Sequence, residues 1–217
     1  MNLLHTAHIP AGDGPFPTLF VLHGWGASAH DLLGLAPWLH GGEALVLSPQ
    51  GSIPVPLGGG VEGYGWFPLD PGGPPSEEVF DQARRELRQF VDGAFESFPI
   101  DRRKVAVLGF SQGGVMAYDL VLGAPQEFCG LAALSSWLPE SLAASHAAAE
   151  DHQELPTLVV HGTEDSVIAV ERARESREAL RPFGVSLTYR EFDMGHEIRP
   201  EALALLADWL GRRVFPG

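Results

Sequence analysis

The chain is 217 residues long and has one cysteine, Cys129, so no internal disulfide can form. A lone thiol fits a reducing compartment, and a cytoplasmic location is the expectation. No apolar run approaches the roughly 18 residues that a membrane-spanning helix needs. The first residues after Met1 do not combine basic side chains with a long apolar stretch, so no secretory leader is expected. Basic residues are scarce: 14 Lys and Arg face 28 Asp and Glu, leaving a formal charge of -14 and a pI near 4.9. Such a surface repels phosphate backbones and anionic headgroups, which argues against nucleic acid and against a polybasic membrane anchor. There is no internal repeat and no convincing linker. No His, Cys or Asp spacing resembles a metal-ligand pattern, so a metal is not expected.

What is present is ordered. Hydrophobic residues make up 45% of the chain, enough for one domain over residues 1–217 with a sheet covered on both faces. Strand candidates fall at about 2–8, 17–22, 44–48, 104–109, 130–135, 157–161 and 185–191. Helix candidates fall at about 28–39, 77–97, 112–123, 168–182 and 200–211. Ser76 is a candidate N-cap, with Glu77 and Glu78 suited to the helix dipole, and Phe80, Ala83, Leu87, Phe90, Ala94 and Phe98 recur at helical spacing. Pro200 can open the last helix and Gly211 can end it. Alternating strands and helices predict an α/β fold with a mainly parallel sheet and right-handed crossovers. The Gly/Pro-rich stretch from Ile53 to Pro75 exceeds an ordinary turn. Because it carries Tyr64, Trp66 and Phe67, it reads as a loop over a site.

The chemistry centres on Gly109-Phe110-Ser111-Gln112-Gly113, a G-x-S-x-G sequence directly after the apolar run Val105-Ala106-Val107-Leu108. A buried strand, a serine between small residues and a following helix are the parts of a nucleophile elbow. A serine hydroxyl needs a base. The order Ser, acid, His is met by Asp165, after the strand Leu158-Val159-Val160-His161-Gly162, and by His196, after the strand Leu187 to Phe192. All three then stand at the carboxyl edge of a parallel sheet, where such folds place their sites. Glu164 is an alternative acid, with Asp165 serving as a helix N-cap, and Asp193 is nearer His196 in sequence. The strand Thr18 to Leu22 ends in His23-Gly24-Trp25-Gly26. A turn there can aim the Trp25 N–H at a carbonyl oxygen under attack, and the Gln112 N–H supplies the second donor. Each donor of this kind is worth on the order of 3 kcal/mol in the transition state. His23 and His161, before glycines at strand ends, read as structural. Cys129 reads as a small buried residue rather than a nucleophile. Trp25, Trp66, Phe67 and Trp137 are either core or, with Ile168, the wall of an apolar acyl groove.

These pieces together resemble the phospholipase/carboxylesterase family of serine hydrolases, which includes the acyl-protein thioesterases. The resemblance rests on Leu22 to Gly26, Gly65-Trp66-Phe67, Gly109 to Gly114, Leu134 to Pro139, His161 to Ile168 and Gly195-His196-Glu197, in the family's order from about residue 18 to 210. Trp25 departs from it, standing where an aliphatic residue is usual. So does the Gly/Pro-rich stretch between Ile53 and Gly73; both border the expected pocket. The resemblance implies a minimal α/β-hydrolase fold without a large lid domain and a cofactor-independent reaction on ester or thioester bonds. The expected substrate is a small or lipid-like acyl ester, with thioesterase, lysophospholipase and peptidase activities as alternatives and a non-catalytic binding protein as the contrasting class. An apolar groove rim makes a homodimer an expectation too.

Overall fold

The computed structural model describes residues 2–69, 77–146, 148 and 150–216. Among them, seven strands form one sheet in the order β1-β3-β2-β6-β7-β8-β9. The strands are β1 (His5–His8), β2 (Phe16–Leu22), β3 (Leu45–Pro49), β6 (Ile100–Phe110), β7 (Gly130–Leu134), β8 (Pro156–Gly162) and β9 (Ser186–Phe192). Only β1 runs antiparallel, against β3; the remaining neighbours are parallel. The central strands read as near-continuous Val, Leu and Ala because both faces are covered. Val105 and Val107 belong to the core on one face, and Ala106 and Leu108 to the core on the other, as the two-residue period of a strand requires.

Helices α1 (Glu77–Ser97) and α2 (Gln112–Gly123) pack on the first face, and α5 (Pro200–Trp209) on the second. The short α3 (Glu140–Ser145) and α4 (Val170–Leu180) complete the set. In α1 the buried positions are Ala83, Leu87, Phe90, Val91 and Ala94, the stripe that its spacing predicts. Helix α2 is buried along almost its whole length, so it is apolar all round rather than amphipathic. The Ser76 cap lies outside the described residues.

Three expectations need correction. The segment 28–39 is not a continuous helix: it forms turns and short 3-10 pieces at Leu33–Leu35 and Leu39–Gly42. Its leucine spacing imitates a helix, but Gly34 and Pro37 interrupt it; proline removes a backbone donor and crowds the preceding turn. The helix at 200 does not stop at Gly211 but continues as a wider turn over Leu210–Val214. The stretch from Ile53 is not a plain loop. Residues 53–65 form an antiparallel hairpin, β4 (Ile53–Gly58) and β5 (Val61–Gly65), turning through Gly59 and Gly60, both at positive φ. Pro54 and Pro56 are tolerated because they are two residues apart in an edge strand, so their missing N–H groups point the same way. Residues 70–75 of that stretch lie outside the described residues.

Candidate active site

Strand β6 runs straight into α2, and Ser111 sits at the junction with φ 55° and ψ −121°. A non-glycine residue in that region costs of order 1–3 kcal/mol and persists only where neighbours hold it. They do. Ser111 N–H donates to Leu134 O at 2.9 Å, and the Ser136 hydroxyl donates to Ser111 O at 2.7 Å. The turn also needs bare backbone. A Cβ on Gly109 would lie 2.2 Å from Gly113 O, and one on Gly113 would lie 2.0 Å from Leu22 O.

The three sequence-predicted side chains meet. Ser111 Oγ is 3.0 Å from His196 Nε2, and His196 Nδ1 is 2.7 Å from Asp165 Oδ2. A carboxylate oxygen only accepts, so Nδ1 carries the hydrogen and Nε2 offers its lone pair to the serine hydroxyl. The other carboxylate oxygen, Oδ1, accepts from Val167 N–H at 2.9 Å and Ile168 N–H at 2.8 Å. Burial alone would raise the Asp165 pKa. The bonds from Ile168 N–H, His196 and Val167 N–H outweigh it and hold the group below the usual carboxylate range. Asp165 thus closes a local turn with one oxygen and engages the histidine with the other. It does not cap α4, whose N-cap is Ala169. The rival acids lie elsewhere: Glu164 is exposed, and Asp193 Oδ1 accepts from the Thr163 hydroxyl at 3.2 Å.

The turn after β2 lies against the serine, since a Cβ on Gly24 would be 3.2 Å from Ser111 Cβ. Hydrogen bonds fix this turn on every side except one. His23 Nδ1–H donates to Gly24 O at 2.7 Å, and His23 Nε2 accepts from Gly51 N–H at 3.0 Å. Burial lowers the His23 pKa, more than its bond to Gly24 and the Asp31 charge raise it, so the ring is a neutral strut. Gly26 N–H donates to Tyr64 O at 2.8 Å, and Tyr64 N–H returns a bond to Ala27 O at 2.7 Å, stitching the turn to the hairpin. Among the described residues the Trp25 N–H has no acceptor. Gln112 opens α2, so its N–H has no intrahelical partner. The two predicted oxyanion donors are therefore uncommitted.

Sequence reasoning missed the Gln112 side chain. Its Oε1 accepts from Trp66 N–H at 2.8 Å and its Nε2 donates to Phe67 O, clamping the segment after β5 onto the elbow. No local pattern signals this, because the partners lie 46 and 45 residues away.

A cavity of about 950 Å³ is walled by residues bonded to or next to these groups, although Ser111, Asp165 and His196 are not themselves in its lining. Phe67, Trp137 and Ile168 are in its wall. Each is tied to the site: Phe67 through Gln112, Trp137 through its neighbour Ser136, and Ile168 through Asp165. The structure does not bring Trp25 and Trp66 into that wall. Trp66 is buried, with its indole N–H donating to His23 O at 2.9 Å, and the Trp25 ring packs on Gly65, where a Cβ would stand 2.3 Å from Cε3. Apolar side chains share the lining with Glu77, Asp81, Glu140, Arg172 and Arg84, the last paired with Asp119 and Asp81. Among the described residues no cluster of three His, Cys, Asp or Glu side chains could hold a metal ion, and no helix is long and apolar enough to cross a membrane.

A parallel sheet whose carboxyl edge carries serine, aspartate and histidine in that chain order has the α/β-hydrolase fold. Residues 6–212 match the Phospholipase/Carboxylesterase family, and the chain belongs to it. It is 29% identical over 167 residues to a probable carboxylesterase SOBER1-like of Arabidopsis thaliana, an alignment spanning 74% of this chain and 63% of that relative. It is 24% identical over 223 residues to acyl-protein thioesterase 1 of Gibberella zeae, spanning 95% of this chain and 94% of the relative. The Bacillus cereus carboxylesterase structure superposes with a TM-score of 0.82 at 23% identity, covering 97% of this chain and 94% of that one, a likeness of fold.

Proposed function

We propose that this protein is a serine carboxylesterase acting on short- to medium-chain acyl esters through an acyl-serine intermediate. The observation that carries the reading is the relay Ser111 Oγ to His196 Nε2 at 3.0 Å and His196 Nδ1 to Asp165 Oδ2 at 2.7 Å. In this mechanism Ser111 Oγ attacks the acyl carbon while its proton passes to His196 Nε2. Asp165 holds the imidazole in the required tautomer and stabilises its cationic form. The Trp25 and Gln112 N–H groups receive the charge that appears on the carbonyl oxygen. Collapse of the tetrahedral adduct breaks the bond to the leaving oxygen, which takes the proton from His196. Water, deprotonated by His196, then attacks the acyl-serine and frees the acid and Ser111. No step requires a cofactor.

The acyl chain is assigned to the cavity walled by Phe67, Trp137 and Ile168, with Trp25 and Trp66 shaping the turn beside it. A thioester leaving group fits the same chemistry, and likeness to the Gibberella zeae protein over nearly its whole length supports that second reading. The same account takes the chain as one catalytic unit working in the cytoplasm. Homodimerisation through the exposed Val167 and Leu69, which also line the cavity, belongs to it as well. The test is Ser111→Ala: folding should be normal, and turnover of p-nitrophenyl butyrate should fall by several orders of magnitude. Near-normal activity would overturn the assignment. A panel of acyl lengths on oxygen and sulfur leaving groups ranks the two substrates.

A further inference from the structure

His161 is the penultimate residue of β8, with no exposed surface, four residues before the acid. Its Nε2 lies 2.8 Å from Ile168 O and 3.5 Å from Asp165 Oδ2. A carbonyl oxygen only accepts, so Nε2 carries the ring hydrogen and Nδ1 is a bare lone pair. Among the described residues that Nδ1 is buried without a hydrogen-bond partner. An orphaned acceptor is a costly way to fill a core position, and phenylalanine or leucine would avoid it. The ring therefore needs a justification from its other nitrogen.

We propose that His161 is a positioning residue for the acid, an inference that rests on the esterase reading above. Ile168 is gripped at both ends. Its N–H reaches Asp165 Oδ1 at 2.8 Å, and its carbonyl is held by His161. The turn 165–168 is thus braced from the core side. The same Nε2 stands 3.5 Å from Oδ2, too far for a hydrogen bond of its own, while Oδ2 engages His196 Nδ1 at 2.7 Å. One imidazole braces the turn that carries the carboxylate; the other is oriented by the carboxylate itself.

The experiment compares His161→Phe, His161→Asn and His161→Gln for kcat and KM on p-nitrophenyl butyrate, thermal midpoint and labelling by a fluorophosphonate. Glutamine places an amide N–H about where Nε2 stands, whereas asparagine is too short and phenylalanine has no donor. A small misplacement of catalytic groups costs up to about 100-fold. The Phe and Asn variants should lose about 10- to 100-fold in kcat with KM within about twofold, and Gln should stay within about fivefold of wild type. Equal kcat in the Phe variant, a loss expressed in KM, or no advantage of Gln over Asn would overturn the proposal. If the Phe variant fails to fold, the Asn–Gln pair carries the comparison. Absence of label on wild-type Ser111 would instead sink the esterase reading on which it rests.

Discussion

Asp165→Asn probes the relay most sharply, because the structure dictates how the new amide must sit. Two backbone donors, Val167 N–H and Ile168 N–H, point at one carboxylate oxygen. Turning the amide nitrogen toward them would set donors against donors and leave buried groups unpaired, at about 1–3 kcal/mol each. The asparagine oxygen therefore stays on that side and the NH2 faces His196 Nδ1. An NH2 group cannot accept a hydrogen, so the neutral imidazole must carry its proton on Nε2. That nitrogen then donates toward Ser111 Oγ, or clashes with its hydrogen, and can no longer act as base. The same substitution in a serine protease triad costs about 10⁴ in kcat, which at 1.36 kcal/mol per decade is about 5 kcal/mol of barrier. Steady-state hydrolysis of p-nitrophenyl butyrate should show that loss in kcat with little change in KM and an unchanged fold. Glu164→Gln and Asp193→Asn, assayed alongside, should stay within about twofold, since neither side chain engages His196. A loss below tenfold for Asp165→Asn, or a large loss for either companion, would refute the reasoning.

Three further outcomes follow from groups around the site. Gln112→Ala keeps the proposed oxyanion N–H but unpairs Trp66 N–H and Phe67 O; a loss of about 2–4 kcal/mol is expected, roughly 4–16 °C in Tm, and a shift under 2 °C in differential scanning calorimetry would contradict the clamp. Cys129 is pushed up to about 11, chiefly by burial, so below that pH it stays a thiol; native protein at pH 8 should react with iodoacetamide far more slowly than denatured protein, and equal rates would be the failure. Glu191 is held down at about 2, first by the Arg174 guanidinium and then by the Tyr189 hydroxyl, against partial desolvation. A depressed carboxylate stabilises the fold above its unfolded pKa of 4.5 and loses that contribution as pH falls through about 2. Glu191→Gln should therefore lower Tm at pH 7 and converge on wild type as pH falls from 4.5 toward 2; a constant difference across that range would contradict the pairing.

The relay was legible because each member sits at a strand end marked by its own local signal. For Ser111 the signal is the glycine-flanked turn; for Asp165 it is an apolar strand ending in glycine, and for His196 an alternating strand followed by Gly195. The choice of Asp165 over Glu164 and Asp193 needed coordinates, since it depends on which carboxylate faces Nδ1, and chain proximity carries no such information. The hairpin at 53–65 was hidden by Pro54 and Pro56, which depress strand propensity although an edge position accepts them. The false helix at 28–39 came from Leu32, Leu35, Ala36 and Leu39, whose burial against β2 and β3 does not depend on helical continuity. The roles of Gln112 and Ser136 were invisible for a different reason: each acts through a backbone group fixed by another segment; for His161 a structural bond to backbone was legible, but the Ile168 carbonyl that it holds was not. The acyl wall was half legible. Aromatic residues beside motif turns pointed to the right neighbourhood, but an indole on a loop can face a cavity, as Trp137 does, or be pinned into the core, as Trp66 is.

The central claim is that Ser111 is made nucleophilic by His196. Reaction of the native protein with a fluorophosphonate, followed by peptide mapping by mass spectrometry, tests it directly. The account predicts one covalent adduct per chain, on the peptide holding Ser111, abolished in Ser111→Ala and slowed by orders of magnitude in His196→Ala. An adduct on another residue, no adduct on the folded protein, or undiminished labelling without His196 would contradict it.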